Sequence, residues 1–513
     1  MFELRVMSDD VSRGRAVRRA WAYFCVFVLT GAQWWVSASQ SQGPPPWQAF
    51  VAAAGTDRGQ SDAALDDIAG RWRNGYASMI VDVARFLPAP RGVGPGDDVG
   101  GPERDTAFED EPQEATRGRS EFPAVVRQPP GADIRRRLTG FLGKHTRQGF
   151  GDDLRAWRRW MWAQPYEPHP DYAQFKAEVY SRLDSRFRAF FPAGVETRIR
   201  LDEVDWGGVT VNGIPPLRLP VTIPASDARW LRDGHLVFGL VVNGEARAYP
   251  KRILAWHEMA IDRIGGVELT IVYCTLCGTV IPYDSVIGSR HFTFGTSGLL
   301  YRSNKLMFDE ETRSLWSSLE GVPVIGPLAK SGFQLSFRPV VTTTWGEWRR
   351  EHPATTVLSL ETGFERDYSE GAAYRDYFAT DRVMFEVPTS DTRLKNKDEV
   401  LVLRSEVLGV AAPPTAIAVA RLRRNPVFAF EAGGRPLVVI TSKAGGNAVY
   451  ERGSHAFVSR SADGSVSDAV GGRWTVAADA LVRPGGERLA RVPAHRAFWF
   501  GWIAQYPDTV LIQ

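Results

Sequence analysis

One pattern occurs twice in the C-terminal part of this chain, and any fold must accommodate both copies. Trp345-Gly346-Glu347-Trp348, followed by His352-Pro353-Ala354-Thr355, returns as Trp499-Phe500-Gly501-Trp502, followed by Tyr506-Pro507-Asp508-Thr509. Upstream, Val237-Phe238-Gly239-Leu240 with Ala246 and Ala248 matches Val407-Leu408-Gly409-Val410 with Ala416 and Ala418. Between these anchors, Leu269-Thr270-Ile271-Val272 matches Leu437-Val438-Val439-Ile440. The matches keep their order and spacing, as a duplicated supersecondary unit requires. The texture is β: from about residue 201, β-branched runs alternate with Gly, Asn and Asp turns. Residues 235–249 carry an Asn-Gly dipeptide between two such runs, which predicts a hairpin. Ile264-Gly265-Gly266-Val267 and Gly295-Thr296-Ser297-Gly298 read as further turns.

The duplication bears on the cysteines, of which the chain has three. Two stand in Val272-Tyr273-Cys274-Thr275-Leu276-Cys277-Gly278-Thr279-Val280. In the second copy Ser442 falls opposite Cys274 and Gly445 opposite Cys277. A fold that forms without the cysteines in one copy does not need them to hold it together in the other.

The third, Cys25, lies in an apolar N-terminal stretch. Arg13, Arg15, Arg18 and Arg19 precede an apolar run at 21–29, and Val36-Ser37-Ala38 forms a small-residue cleavage site. This is the pattern of an export signal over 1–38, with an uncleaved anchor as the alternative. The mature chain is then periplasmic or secreted, where disulfides persist. Helical spacing of Leu65, Ile68, Trp72, Tyr76, Ile80, Val83 and Phe86 predicts a helical segment within 39–90. Residues 91–130, rich in Gly, Pro and acidic side chains, read as a disordered linker. A second helical segment is expected over 131–200. The expected class is α+β: a helical N-terminal region, then a mainly β body of two related halves, 201–365 with the Cys-x-x-Cys and 366–513 as a degenerate copy without it. The 62 basic and 59 acidic residues nearly balance, and no basic run alternates with aromatics, so nucleic acid is set aside as a partner. A protein partner is expected, if anywhere, at the tryptophan-rich N-terminal helices.

Several further motifs stand in a fixed order: Trp256-His257-Glu258, Tyr273-Cys274-x-x-Cys277-Gly278, Phe294-Gly295-x-Ser297-Gly298-x-x-Tyr301-x-Ser303, Met307-x-Asp309, Thr312-x-Ser314-Leu315-Trp316-Ser317 and Gly326-Pro327-Leu328. In this order they resemble the bacterial and archaeal DUF3179 family, strongly over about 200–360 and to 513 through the second copy. Thr275 departs from the pattern, which has proline there. The resemblance implies no activity, because that family's function is unassigned.

Cys-x-x-Cys-Gly between two β-runs differs from a redox motif at a helix start, where the dipole lowers a thiol pKa. Gly278 is followed by Thr279-Val280-Ile281-Pro282, a poor helix start. The shape is that of a metal knuckle supplying two ligands, whereas a structural zinc takes four. His257 is the candidate third ligand and Met307 a candidate thioether, a set suited to copper or zinc. Glu258, Tyr301 and Asp309 are the candidate catalytic residues, with Glu258 as ligand, outer partner or general base. Ser297, Ser303 and Asn304 are expected to line a pocket beside the cysteines, and Arg302 and Lys305 read as solvated. No phosphate-binding glycine loop is present, so no nucleotide cofactor is indicated. Three readings remain open: a metal site for redox chemistry or metal handling, a cycling thiol–disulfide pair, and a non-enzymatic binding module with a static disulfide. Whether the chain is an enzyme stays open with them.

Overall fold

The computed structural model describes residues 43–88, 131–409 and 411–513. The expected signal and linker lie outside the described residues. Helices Trp47–Ala53, Arg58–Gly70, Ala77–Ala84, Ala132–Thr146, Leu154–Trp162 and Tyr172–Ser181 make up the N-terminal region. Two begin at aspartate caps, with Asp57 accepting from the Gln60 amide (2.9 Å) and Asp153 from the Ala156 amide (2.8 Å). Among the described residues no helix is long and apolar enough to cross a membrane.

The helices turn their apolar faces onto the β body. Trp157, Phe175, Tyr180 and Phe187 share one buried cluster with Leu299, Leu306 and Phe308. Buried charges fix the contact. Asp205, on strand Val204–Trp206, accepts from Arg85 at 2.7 Å and from Arg158. Lys176 reaches Asp82 at 2.8 Å and the Val204 carbonyl at 2.8 Å.

The two halves of the body share a four-strand order, to which the first half adds the strand Thr222–Pro224. In the first, strands run in the order Val341–Thr344, Leu236–Val242, Glu245–Pro250, Thr356–Leu358, with Thr356–Leu358 parallel to Glu245–Pro250. In the second the order is His495–Phe498, Glu399–Leu403, Thr415–Ala418, Val510–Ile512, with the same parallel last pair. In both, Trp Nε1 of the Trp-x-x-Trp helix donates to a threonine seven residues on: Trp348 to Thr355 and Trp502 to Thr509, each at 2.9 Å. The hairpin Met259–Ile264/Val267–Cys274 corresponds to Val427–Ala432/Arg435–Thr441, each turning on a Gly-Gly pair.

Two sequence expectations are corrected here. Gly239 pairs with Ala248 and Val341, whereas Val402 pairs with Ala416 and His495. The counterpart of Val237–Leu240 is therefore 400–403, not 407–410. The first hairpin closes on Asn243 and Gly244, both at positive φ, but the second is lengthened by a helix, Ser405–Leu408, which the sequence match mistook for strand. Gly295-Thr296-Ser297-Gly298 is not a turn. It lies inside strand Phe294–Tyr301, where the register slips between Thr296 and Leu299. The Ser297 hydroxyl fills this bulge, donating to the Leu306 carbonyl (2.6 Å) and accepting from the Leu299 amide (3.0 Å).

Candidate functional site: a buried dithiol

Strands Val267–Cys274 and Thr279–Asp284 are joined by the cysteine turn. The Cys277 amide donates to the Cys274 carbonyl at 3.2 Å. Gly278 closes the turn at a φ of 60°, and a Cβ there would stand 2.9 Å from the Phe498 ring, so both conformation and space demand glycine. The second half repeats the turn, with the Gly445 amide donating to the Ser442 carbonyl at 2.9 Å.

Both cysteines are unpaired and buried. Leu276, Leu300, Tyr377 and Phe385 pack around them, and the Tyr377 hydroxyl donates to the Leu276 carbonyl at 2.7 Å. Tyr377 and Phe385 come from the irregular stretch between the halves, around helix Arg375–Ala379. The two sulfurs are unequal. Burial opposes ionisation of both and pushes Cys277 well above an ordinary thiol. For Cys274, hydrogen bonds from the Cys277 thiol and from the Lys305 and Cys277 amides outweigh burial and bring its pKa below the usual thiol value. The single Cys277 thiol hydrogen has two acceptors within reach, Cys274 Sγ and the Ser303 carbonyl at 3.1 Å.

An ion pair stands behind the sulfurs. Lys305 Nζ lies 3.1 Å from Glu258 Oε2, both side chains nearly inaccessible, and the Tyr374 hydroxyl donates to Glu258 Oε1 at 3.0 Å. The Glu258 charge opposes ionisation of either thiol. Lys305, expected to be solvated, is buried: strand Asn304–Asp309 is covered on both faces, Leu306 and Phe308 on one, Met307 on the other. A lysine alternating with core residues in a two-sided strand was the available signal. Arg302 is likewise held by Glu203 and donates to the Ala504 carbonyl at 2.9 Å. Thr275 Oγ1, Ser303 Oγ and Asn304 Oδ1 are buried with no hydrogen-bond partner among the described residues.

Cys274, Cys277, Glu258, Ser303 and Asn304 are therefore brought together, and Thr275, Lys305, Tyr374 and Tyr377 join them. The other candidates stand elsewhere. Glu258 adopts a φ of 52° at the end of helix Lys251–His257, and the turn sends His257 the other way. Its Nδ1 lies 2.9 Å from the Pro215 carbonyl and its Nε2 2.6 Å from the Tyr368 hydroxyl. Met307 packs with Val272, Ile281 and Trp316 in the core. Asp309 accepts from the Thr312 amide (2.6 Å), the Thr312 hydroxyl (2.9 Å) and Trp316 Nε1 (2.8 Å), closing a turn. Tyr301 faces the helical region beside Glu203, and Ser297 fills its bulge. Among the described residues, no three His, Cys, Asp or Glu side chains gather into a group able to hold a metal ion.

Fold and site together define a duplicated β-rich protein with one buried dithiol and one half that lacks it. The chain belongs to the DUF3179 family, described as protein of unknown function, whose model matches residues 211–509. No curated protein and no solved structure matches it.

Proposed function

We propose that the protein is a thiol–disulfide oxidoreductase acting on small disulfides after export directed by residues 1–38. The observation that carries this reading is geometric: two free thiols share one tight turn, Cys277 Sγ 3.1 Å and Cys274 Sγ 4.0 Å from the same Ser303 carbonyl, with the buried Lys305–Glu258 pair in the same site. Cys274 thiolate attacks one sulfur of RS–SR, forms a mixed disulfide and releases RS⁻, which takes up a proton. Glu258 accepts the Cys277 proton. Cys277 thiolate then attacks Cys274 Sγ, closing the intramolecular disulfide and releasing the second RS⁻, which leaves as RSH with that proton. The sum is two cysteine thiols plus RS–SR giving one disulfide plus two RSH. The apolar cover of Leu276, Tyr377 and Phe385 favours a small substrate over a folded protein.

A second reading, a copper or zinc thiolate site, is favoured by the orphaned Thr275, Ser303 and Asn304 oxygens around the sulfurs. His257 joins such a site only by giving up Tyr368. One experiment separates the readings: anaerobic purification of the full chain, elemental analysis and thiol titration, for wild type and Cys274→Ser. Two thiols that oxidise reversibly against glutathione, at a potential above about −300 mV and without metal, are the expected result. About one equivalent of metal, lost in Cys274→Ser, establishes the second reading instead. Thiols that neither oxidise reversibly nor hold metal overturn both.

A further inference from the structure

The pseudo-symmetry of the halves points to a second site, independent of the dithiol. A cleft of about 570 Å³ opens against the second half, lined by Val241, Glu347, His352, Tyr450, Arg460 and Arg491 among others. Its counterpart in the first half is filled. The register that pairs Gly239 with Val402 puts Val241 opposite Arg404. The Arg404 guanidinium lies 3.7 Å from the Phe337 ring centroid and donates to the Leu319 carbonyl (2.6 Å) and Tyr283 hydroxyl (3.3 Å). Tyr450 is the counterpart of Tyr283, and each hydroxyl is anchored on a carbonyl, Ala477 at 2.9 Å and Ser318 at 3.0 Å. Where one half carries its own plugging guanidinium, the other carries valine and leaves a space.

The charges in that space are almost all spoken for. Asp463 is paired with Arg473, and Glu351 with Arg460 at 3.5 Å. The Glu347 carboxylate accepts from Thr343 Oγ1 (2.6 Å), the Ala444 amide (3.1 Å) and the Ser442 hydroxyl. Three donors are left over. Arg491 has one side-chain contact, Nη1 to the Ala478 carbonyl at 2.9 Å, and no carboxylate within ion-pair distance among the described residues. Arg460 Nε is buried without a hydrogen-bond partner among the described residues. The His352 ring packs against Trp348, tilted by 44° at 4.1 Å between centroids, and its nitrogens have no hydrogen-bond partner among the described residues. An aliphatic patch of the wall is formed by Val241, Val341, Ile440 and Val476.

We propose that this cleft binds a small organic monocarboxylate, its carboxylate on Arg491 and its apolar body against the valine wall. Glu347 has its carboxylate capped by three neutral donors, whereas the Arg491 guanidinium keeps free N–H groups that a carboxylate can take, and a space of this size suits a ligand of a dozen or so heavy atoms. Burial, followed by the Arg491 charge, lowers the His352 pKa, so its ring is neutral at pH 7 and adds a hydrogen bond rather than a second charge.

The test uses the full chain with benzoate and hexanoate as probes and inorganic phosphate as the competing anion, read by titration calorimetry. Saturable binding of one carboxylate per chain is expected. Arg491→Gln should weaken it roughly tenfold or more, and Val241→Arg, which copies the plugged half, should abolish it. Val241→Arg remains a readout if Arg491→Gln does not fold, and thermal melts establish which variants do. No saturable carboxylate binding, or binding unchanged in the folded variants, overturns the proposal. So does phosphate binding as tightly as the carboxylates, because the aliphatic wall would then contribute nothing.

Discussion

Glu258 occupies the left-handed region at a φ of 52°, a conformation that costs a non-glycine residue on the order of 1–3 kcal/mol. The cost is borne where the backbone changes direction: the Glu258 amide donates to the Leu254 carbonyl (2.7 Å), and its own carbonyl accepts from Tyr273 (2.9 Å). This single residue faces its side chain to the sulfurs and turns His257 away from them. Since its charge opposes ionisation of both thiols, Glu258→Gln should move the Cys274 titration to lower pH, followed by thiolate absorbance. Closure of the disulfide should nevertheless slow at neutral pH, because the group that takes the Cys277 proton is gone; faster closure would remove Glu258 from that role. His257 gives a second test. Burial pushes its pKa from 6.5 down to about 4, so it is neutral in the folded protein and stays so while the unfolded chain already binds a proton. Its contribution is full above pH 6.5 and is lost as pH falls towards 4, a change of about 3 kcal/mol. Denaturant unfolding of His257→Gln should show a shallower loss between those pH values. The ligand role expected for His257 was read from proximity along the chain, which carries no information about a backbone reversal at the next residue.

At the scale of elements, the helical region is tied to the body by few but deeply buried charges. Asp205 serves two arginines, Arg85 and Arg158, with all three side chains almost inaccessible. Asp205→Ala removes the carboxylate that two buried guanidinium groups share and should cost about 3–5 kcal/mol, measured by denaturant unfolding of the full chain. The double variant with Arg158→Met should be less than additive, since the second change removes a buried charge that Asp205 had neutralised. Much at this scale was legible in the sequence. The Asn243-Gly244 hairpin, the Gly265-Gly266 hairpin and the cysteine turn between strands follow from local turn chemistry. The bulge at Gly295–Gly298 was not, because the same glycines that make a turn also let a strand slip by a residue. Nor was the hairpin at Arg302 and Ser303, which both take positive φ without a glycine or asparagine to announce it. Lys305, Tyr374 and Tyr377 reach the site through pairings that no local pattern encodes.

The duplication has its strongest consequence for the whole molecule, where each half covers the turn of the other. The Phe498 amide donates to the Cys277 carbonyl at 2.7 Å, and Gly501 lies against Cys277 so closely that a Cβ would stand 3.1 Å from both Cβ and Sγ. Reciprocally, Glu347, the counterpart of Gly501, caps the turn at Ser442 and Ala444. One exchange of residue type across the pseudo-twofold thus separates a turn with thiols facing a bare backbone from a turn with a carboxylate in that space. Met259, Val272, Ile281 and Trp316 of the first half share a core with Val402, Ala497, Trp499 and Trp502 of the second. A fragment of residues 399–513 loses that cover and the Glu347 cap together, and should give a poorly dispersed amide spectrum alone but a dispersed one when co-expressed with residues 44–398. Gly501→Ala tests the same interlock by one methyl group. The neighbouring Cys277 must yield by a few tenths of an ångström, at a cost of about 1–3 kcal/mol as for other overpacked sites. The displaced sulfur also loosens the hydrogen bond to Cys274. Thermal melting should fall, and the alkylation rates of the two thiols should converge. A lower melting temperature with the thiol asymmetry intact would mean that the second half supports the fold of the first without shaping its chemistry.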